Sequence, residues 1–184
     1  MSSSSSRPLR REAFAATDES PADAAHARQV LKLLLAQDGS TTRLCEAVAG
    51  GPVELHVMRQ HVTGDVPALV RQHLAGTQFI ERITCLAAHG ELLMDNLTYI
   101  SLDGLEPDID ADLRAGRLPI GHLLARLWVR RERVADAEAL MQRLWDEVGT
   151  PDPASTRAYR IDTPSAARML IAETYRRGMR MDRG

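Results

Sequence analysis

Hydrophobic positions recur along this chain with two periods, and the changes of period mark its elements. In "SPADAAHARQVLKLLLAQDGS", Val30, Leu31, Leu34 and Leu35 fall at helical spacing, with Ser20 placed to cap, Pro21 in the first turn and Gly39 as the stop. "STTRLCEAVAGG" reads as a short helix that Ser40 or Thr41 caps and Gly50 and Gly51 end. The period then drops to two. "PVELHVMRQHV" sets Val53, Leu55 and Val57 against Glu54, His56 and Met58, a strand with one wet face. "DVPALVRQHLAG" is read as a short helix, and "FIERITCLAAHGELLMDNLTYISL" as two strands folded about Gly90. "EPDIDADLRAG", "LPIGHLLARLW" and "VADAEALMQRLWDEVG" return to the helical period until "TPDP" breaks it. "TRAYRID" and "ARMLIAETYRR" close the chain as a second hairpin around Pro164.

Helices, strands, helices and strands again, joined by hairpin-length links, predict an α+β fold: an antiparallel β-sheet flanked by helices. The 184 residues, 44% of them hydrophobic, suffice for one core. A single domain over residues 21–184 is expected after a Ser-rich, disordered leader over residues 1–20. The net charge of −2 offers no field for a polyanion, so nucleic acid is not an expected partner. Cys45 and Cys85 stand in apolar patterns without metal-site spacing and read as buried thiols. With no apolar run long enough to span a membrane, the expectation is a cytoplasmic monomer.

Candidate chemistry begins with Glu173 in "RMLIAETYRR". In an extended segment it shares a face with Met169, Ile171 and Tyr175, so a carboxylate lies in line with apolar neighbours. Arg82 holds the same kind of place in "FIERITCLAA", beside Ile80, Thr84 and Leu86. The plain reading is a structural ion pair or two charges on a solvated face. The sharper one is a pocket floor, with the guanidinium gripping a substrate carboxylate and Glu173 receiving a hydroxyl or a proton. The six histidines never pair on one helical face, and glycine-rich phosphate loops and a serine nucleophile elbow are lacking. The acidic run "EPDIDAD" lacks the features of a calcium loop. No metal site and no cofactor are expected.

Five segments in order, "LLLAQDGSTTRLCEAV" with "PVELHVMRQHV", then "ERITCLAAHGELL", "RLPIGHLL" and "MLIAETY", make residues 30 to 178 resemble the chorismate pyruvate-lyase family. The resemblance implies an antiparallel sheet around a small buried site. There chorismate would be converted to 4-hydroxybenzoate and pyruvate without cofactor, for aromatic biosynthesis. It places the family's carboxylate-gripping arginine on Arg82 and its hydroxyl-binding glutamate on Glu173, and it assigns substrate-binding amides to Thr41 and Ile120. Both of the latter stand at expected helix starts, where free N–H groups favour anions. The chain departs from the family in "MDNLTYIS", where Asp95 and Asn96 replace small residues and Asp95 becomes another candidate inward carboxylate near Arg82. Two alternatives stand beside the lyase, and that departure motivates the first. One is a relative acting on another cyclohexadiene or aromatic acid; the other is a non-catalytic small-acid-binding protein of the same fold. Such binding domains occur in transcription regulators that also carry a DNA-binding domain, for which the leader looks too short.

Overall fold

The computed structural model describes residues 9, 11–15, 20–117, 119–125, 128–164 and 166–180. Helices α1 (Pro21–Ala36) and α2 (Thr41–Ala49) precede strand β1 (Glu54–Thr63), and α3 (Ala68–His73) leads to β2 (Phe79–Ala88) and β3 (Glu91–Ser101). Next come α4 (Pro107–Ala115), α5 (Ile120–Leu124), β4 (Arg130–Arg133), α6 (Glu138–Val148), β5 (Thr156–Asp162) and β6 (Ala167–Tyr175). The strands form one antiparallel sheet in the order β1-β2-β3-β6-β5-β4.

Local chemistry accounts for most boundaries. The Ser20 hydroxyl accepts from the Asp23 amide at the start of α1, and the Ser40 hydroxyl accepts from the Arg43 amide at the start of α2. Gly50 ends α2 at φ 70°, a left-handed conformation that costs glycine little. The β2–β3 turn has positive φ at both His89 and Gly90, the geometry of a two-residue hairpin turn. Strand β4 departs from the expected pattern, which ran helix into helix through "VRRERV". Its four residues are all charged, so no apolar alternation announces a strand.

Both faces of the sheet are covered, and β2 is buried along its whole length. On the back, Val70 of α3 and Leu140, Leu144 and Val148 of α6 pack on Ile83, Leu97, Ala158 and Leu170. On the front there are two separate apolar clusters. One gathers Leu34 of α1 and Cys45 of α2 against Leu86, Met94 and Tyr175. The other gathers Ile109 and Leu113 of α4 and Leu124 of α5 against Ile80, Ile100, Ile161 and Ile171. Each fully buried aliphatic side chain contributes about 1.5–3 kcal/mol. Between the two clusters the front face turns polar, and there the candidate site lies.

The N-terminal expectation is revised in part. Residues 1–8, 10 and 16–19 of the expected leader lie outside the described residues, but the stretch 11–15 packs on the domain. Phe14 is buried, its amide donates to Asp152 Oδ2 at 2.9 Å, and Arg11 Nε donates to Asp95 Oδ1 at 3.0 Å. One apolar ring in a polar segment is a weak sequence signal for such docking.

Candidate functional site

Strand register decides which side chains meet. Arg82 lies opposite Thr98, Thr84 opposite Asn96, Asn96 opposite Glu173, and Glu173 opposite Arg157. These residues therefore share the front face of four adjacent strands. Above them, Thr41 opens α2 and Ile120 opens α5, where Gly121 lets the two helices approach. A Cβ at Gly121 would sit 2.3 Å from Thr42 Oγ1. Arg82, Glu173, Thr41 and Ile120 all line one cavity of about 50 Å³, together with Asn96 and Arg131.

Arg82 is 1% exposed, and its Nη2 donates to the carbonyl of Gly116 at 2.9 Å. Burial pulls its guanidinium down to about 10, so it stays charged through the neutral range. Glu173 is fully buried, and its partner is Arg157, whose Nε donates to Oε1 at 2.7 Å. The same oxygen accepts from Thr41 Oγ1 at 3.1 Å and from the Tyr175 hydroxyl at 3.0 Å; Oε2 accepts from the Tyr159 hydroxyl at 2.9 Å. Arg157 is flanked by the Tyr159 and Tyr175 rings, with its Cζ 5.1 and 5.6 Å from their centroids. Burial lowers Arg157, but the Glu173 carboxylate and the two phenols outweigh that and raise it above its ordinary value. Burial, with Glu173 second, pushes both phenols up, so they remain donors.

Asp95 is not brought to this cavity. It lies opposite Cys85 and Thr174, on the back face, where it is fully buried and accepts from Arg176 Nε at 2.7 Å and from Arg11. The residue with Arg82's parity is Asn96. Parity across the hairpin depends on the two-residue turn and on the register shift at Leu86/Ala87, neither of which the apolar pattern reveals. Arg157 and Tyr159 went unpredicted although their signal was present, since they alternate with Ile161 in "TRAYRID" as Glu173 does in its strand. Arg131 carried no such signal. Among the described residues, no group of three or more His, Cys, Asp or Glu side chains is arranged to hold a metal ion.

The six-stranded antiparallel sheet with flanking helices is a chorismate lyase-like fold, and its front face holds a polar cavity. No family model matches the sequence, and no curated protein matches it. Among solved structures, the chain is similar to the C-terminal domain of the histidine utilization repressor from Pseudomonas syringae (TM-score 0.47, 11% identity, covering 72% of this chain and 96% of that one). It is likewise similar to PhnF from Mycobacterium smegmatis (TM-score 0.46, 12% identity, 91% and 89%). A third is described as the ligand-binding domain of a GntR-family transcriptional regulator from Bordetella bronchiseptica (TM-score 0.38, 15% identity, 67% and 84%).

These findings correct two expectations. The expected lyase of aromatic biosynthesis is corrected: the Bordetella and Pseudomonas structures are described as domains of a transcriptional regulator and of a repressor, and none of the three is described as a lyase. Both Glu173 oxygens accept hydrogen bonds from protein groups. The exclusion of nucleic acid is corrected as well, since two of these structures are described as parts of a transcriptional regulator and of a repressor. A net charge near zero does not by itself exclude a nucleic-acid partner. No helix among the described residues is long and apolar enough to cross a membrane.

Proposed function

We propose that this chain is a non-catalytic, cytoplasmic ligand-binding domain that holds a small carboxylic acid in the front-face cavity, with a regulatory rather than a chemical output. The observation that carries this reading is Arg82: a guanidinium at 1% exposure on the polar part of the sheet's front face, lining a cavity. Burying that charge is costly, and a carboxylate placed against it recovers the cost through paired, charge-assisted hydrogen bonds. Thr41 and Ile120 would contribute backbone amides above the acid. Asn96, whose amide can donate and accept, would read its substituent. Glu173 serves as the fixed wall, with Arg157 and the two tyrosines holding it so that the cavity keeps its shape without ligand.

The cavity volume favours a short acid over a ring bearing two carboxylates. Calorimetric titration with the series from acetate to hexanoate, run beside the corresponding neutral amides, tests this. Saturable binding of acids and at least about tenfold weaker binding of amides is the expected result. Equal binding of acids and amides would remove the charge recognition on which the reading depends.

A further inference from the structure

A second cavity, of about 220 Å³, opens beside the first and shares Arg131 and Tyr159 with it. Its wall is the end of α1 and the link to α2, through Gln37 and Asp38; its floor is Arg131 and Arg133 of β4 with Arg157 of β5. Register explains the gathering. Arg131 lies opposite Ile161, and Arg133 opposite Tyr159, so both edge-strand arginines project to the front face next to Arg157.

Each of the three donates to main-chain carbonyls at the end of α1. Arg131 Nη1 reaches Asp38 O at 3.1 Å, Arg133 Nη2 bonds Leu35 O, and Arg157 Nη1 bonds Leu35 O at 3.2 Å and also Gln37 O. A helix C-terminus offers only partial negative charge, and α1 has no basic residue in its last turn to compete for these carbonyls. The formal charges do not balance. Arg157 is neutralised by Glu173, which leaves Arg131 and Arg133 facing one acidic lining residue, Asp38. Arg131 Nε is also buried, with no hydrogen-bond acceptor among the described residues. That leaves a donor and surplus positive charge where the two cavities meet.

We infer that the outer cavity is a second anion subsite. The ligand is then an elongated small molecule whose inner carboxylate meets Arg82 and whose outer anionic group, a carboxylate or a phosphate, sits between Arg131 and Arg133. This inference rests on the acid-binding reading above and extends it to a dianionic ligand class. The ligand would pass Tyr159 and Arg131, which both cavities share.

The test compares glutarate, adipate and pimelate with pentanoate, hexanoate and heptanoate, and adds 3-phosphoglycerate beside glycerate as the phosphate arm. Calorimetry should show the best dianion binding at least about tenfold tighter than its monoanionic counterpart. Whether that dianion is a dicarboxylate or the phosphate ester identifies the outer group. In Arg133→Gln and in Arg131→Gln the dianion advantage should shrink to within about twofold, and raising salt should weaken it in the wild type. Monoacids that bind while dianions gain nothing would overturn the second subsite and leave the inner site standing. An advantage that survives in both variants would also overturn it. Failure of every acid in both series would overturn this inference together with the acid-binding reading.

Discussion

Glu173 shows what a single residue's surroundings decide. A carboxylate in line with Ile171 and Tyr175 raises the question of what meets its charge, and the answer is Arg157, held between two tyrosine rings that also donate to the carboxylate. Removing one partner of such a buried pair leaves an uncompensated charge, which typically costs about 3–5 kcal/mol. Arg157→Met should therefore destabilise the domain by that amount in urea denaturation. Adding Glu173→Gln should recover part of the loss, because the uncompensated charge is gone and the amide oxygen still accepts from one of the two phenols. Strict additivity of the two substitutions would show that the pair is not coupled. At this scale the sequence was informative where alternation exposes a charge among apolar neighbours, as at Arg82 and Glu173. It was silent where the decisive feature is the parity of a strand after a turn, which puts Asn96 rather than Asp95 in the cavity.

Among elements, the approach of α5 to α2 forms the roof of the site. Gly121 permits it, and the contact is reinforced outside the cavity by His122 Nε2 against Glu46 Oε1 at 2.8 Å. Gly121→Ala adds a methyl group that would meet Thr42 Oγ1 at 2.3 Å, so the helices must separate. Overpacking of this kind costs about 1–3 kcal/mol. The variant should melt lower and bind short acids more weakly; unchanged melting and binding would mean that the roof is not set by this contact. The helix starts at Thr41 and Ile120 were legible from their capping and spacing. Strand β4 was not, since "RRER" gains its extended form by pairing with β5 and not from any apolar period.

Among the described residues the chain forms an antiparallel sheet covered on both faces, and strand β2, second in its order, carries charge to each side: Arg82 to the front and Glu81 to the back. Glu81 accepts from the Tyr99 hydroxyl at 2.6 Å and pairs with Arg59 at 2.7 Å and Arg143 at 2.8 Å. Burial raises Glu81, but the Tyr99 hydrogen bond and the two guanidiniums outweigh it and leave the group below its ordinary 4.5. A carboxyl depressed in the folded state stabilises fully above its unfolded value and loses that contribution as pH falls through its folded value. Stability should therefore decline from about pH 4.5 downwards. Glu81→Gln should be less stable at neutral pH with a shallower acid limb, and an unaltered limb would assign the acid sensitivity elsewhere. The α+β order and antiparallel pairing were readable from the two periods, because hairpin-length links leave few alternatives. The pairing of Glu173 with Arg157 and the space left beside it were not readable, because both require the strands to be assembled.

The most direct measurement is a parallel calorimetric titration of the wild type and Arg82→Ala with the best-bound short carboxylic acid, with circular dichroism confirming that the variant stays folded. The acid should bind the wild type saturably, and the substitution should weaken it by at least about tenfold while secondary structure is retained. Equal affinity in a folded Arg82→Ala would contradict the account, because the buried guanidinium would then have no part in recognising the ligand.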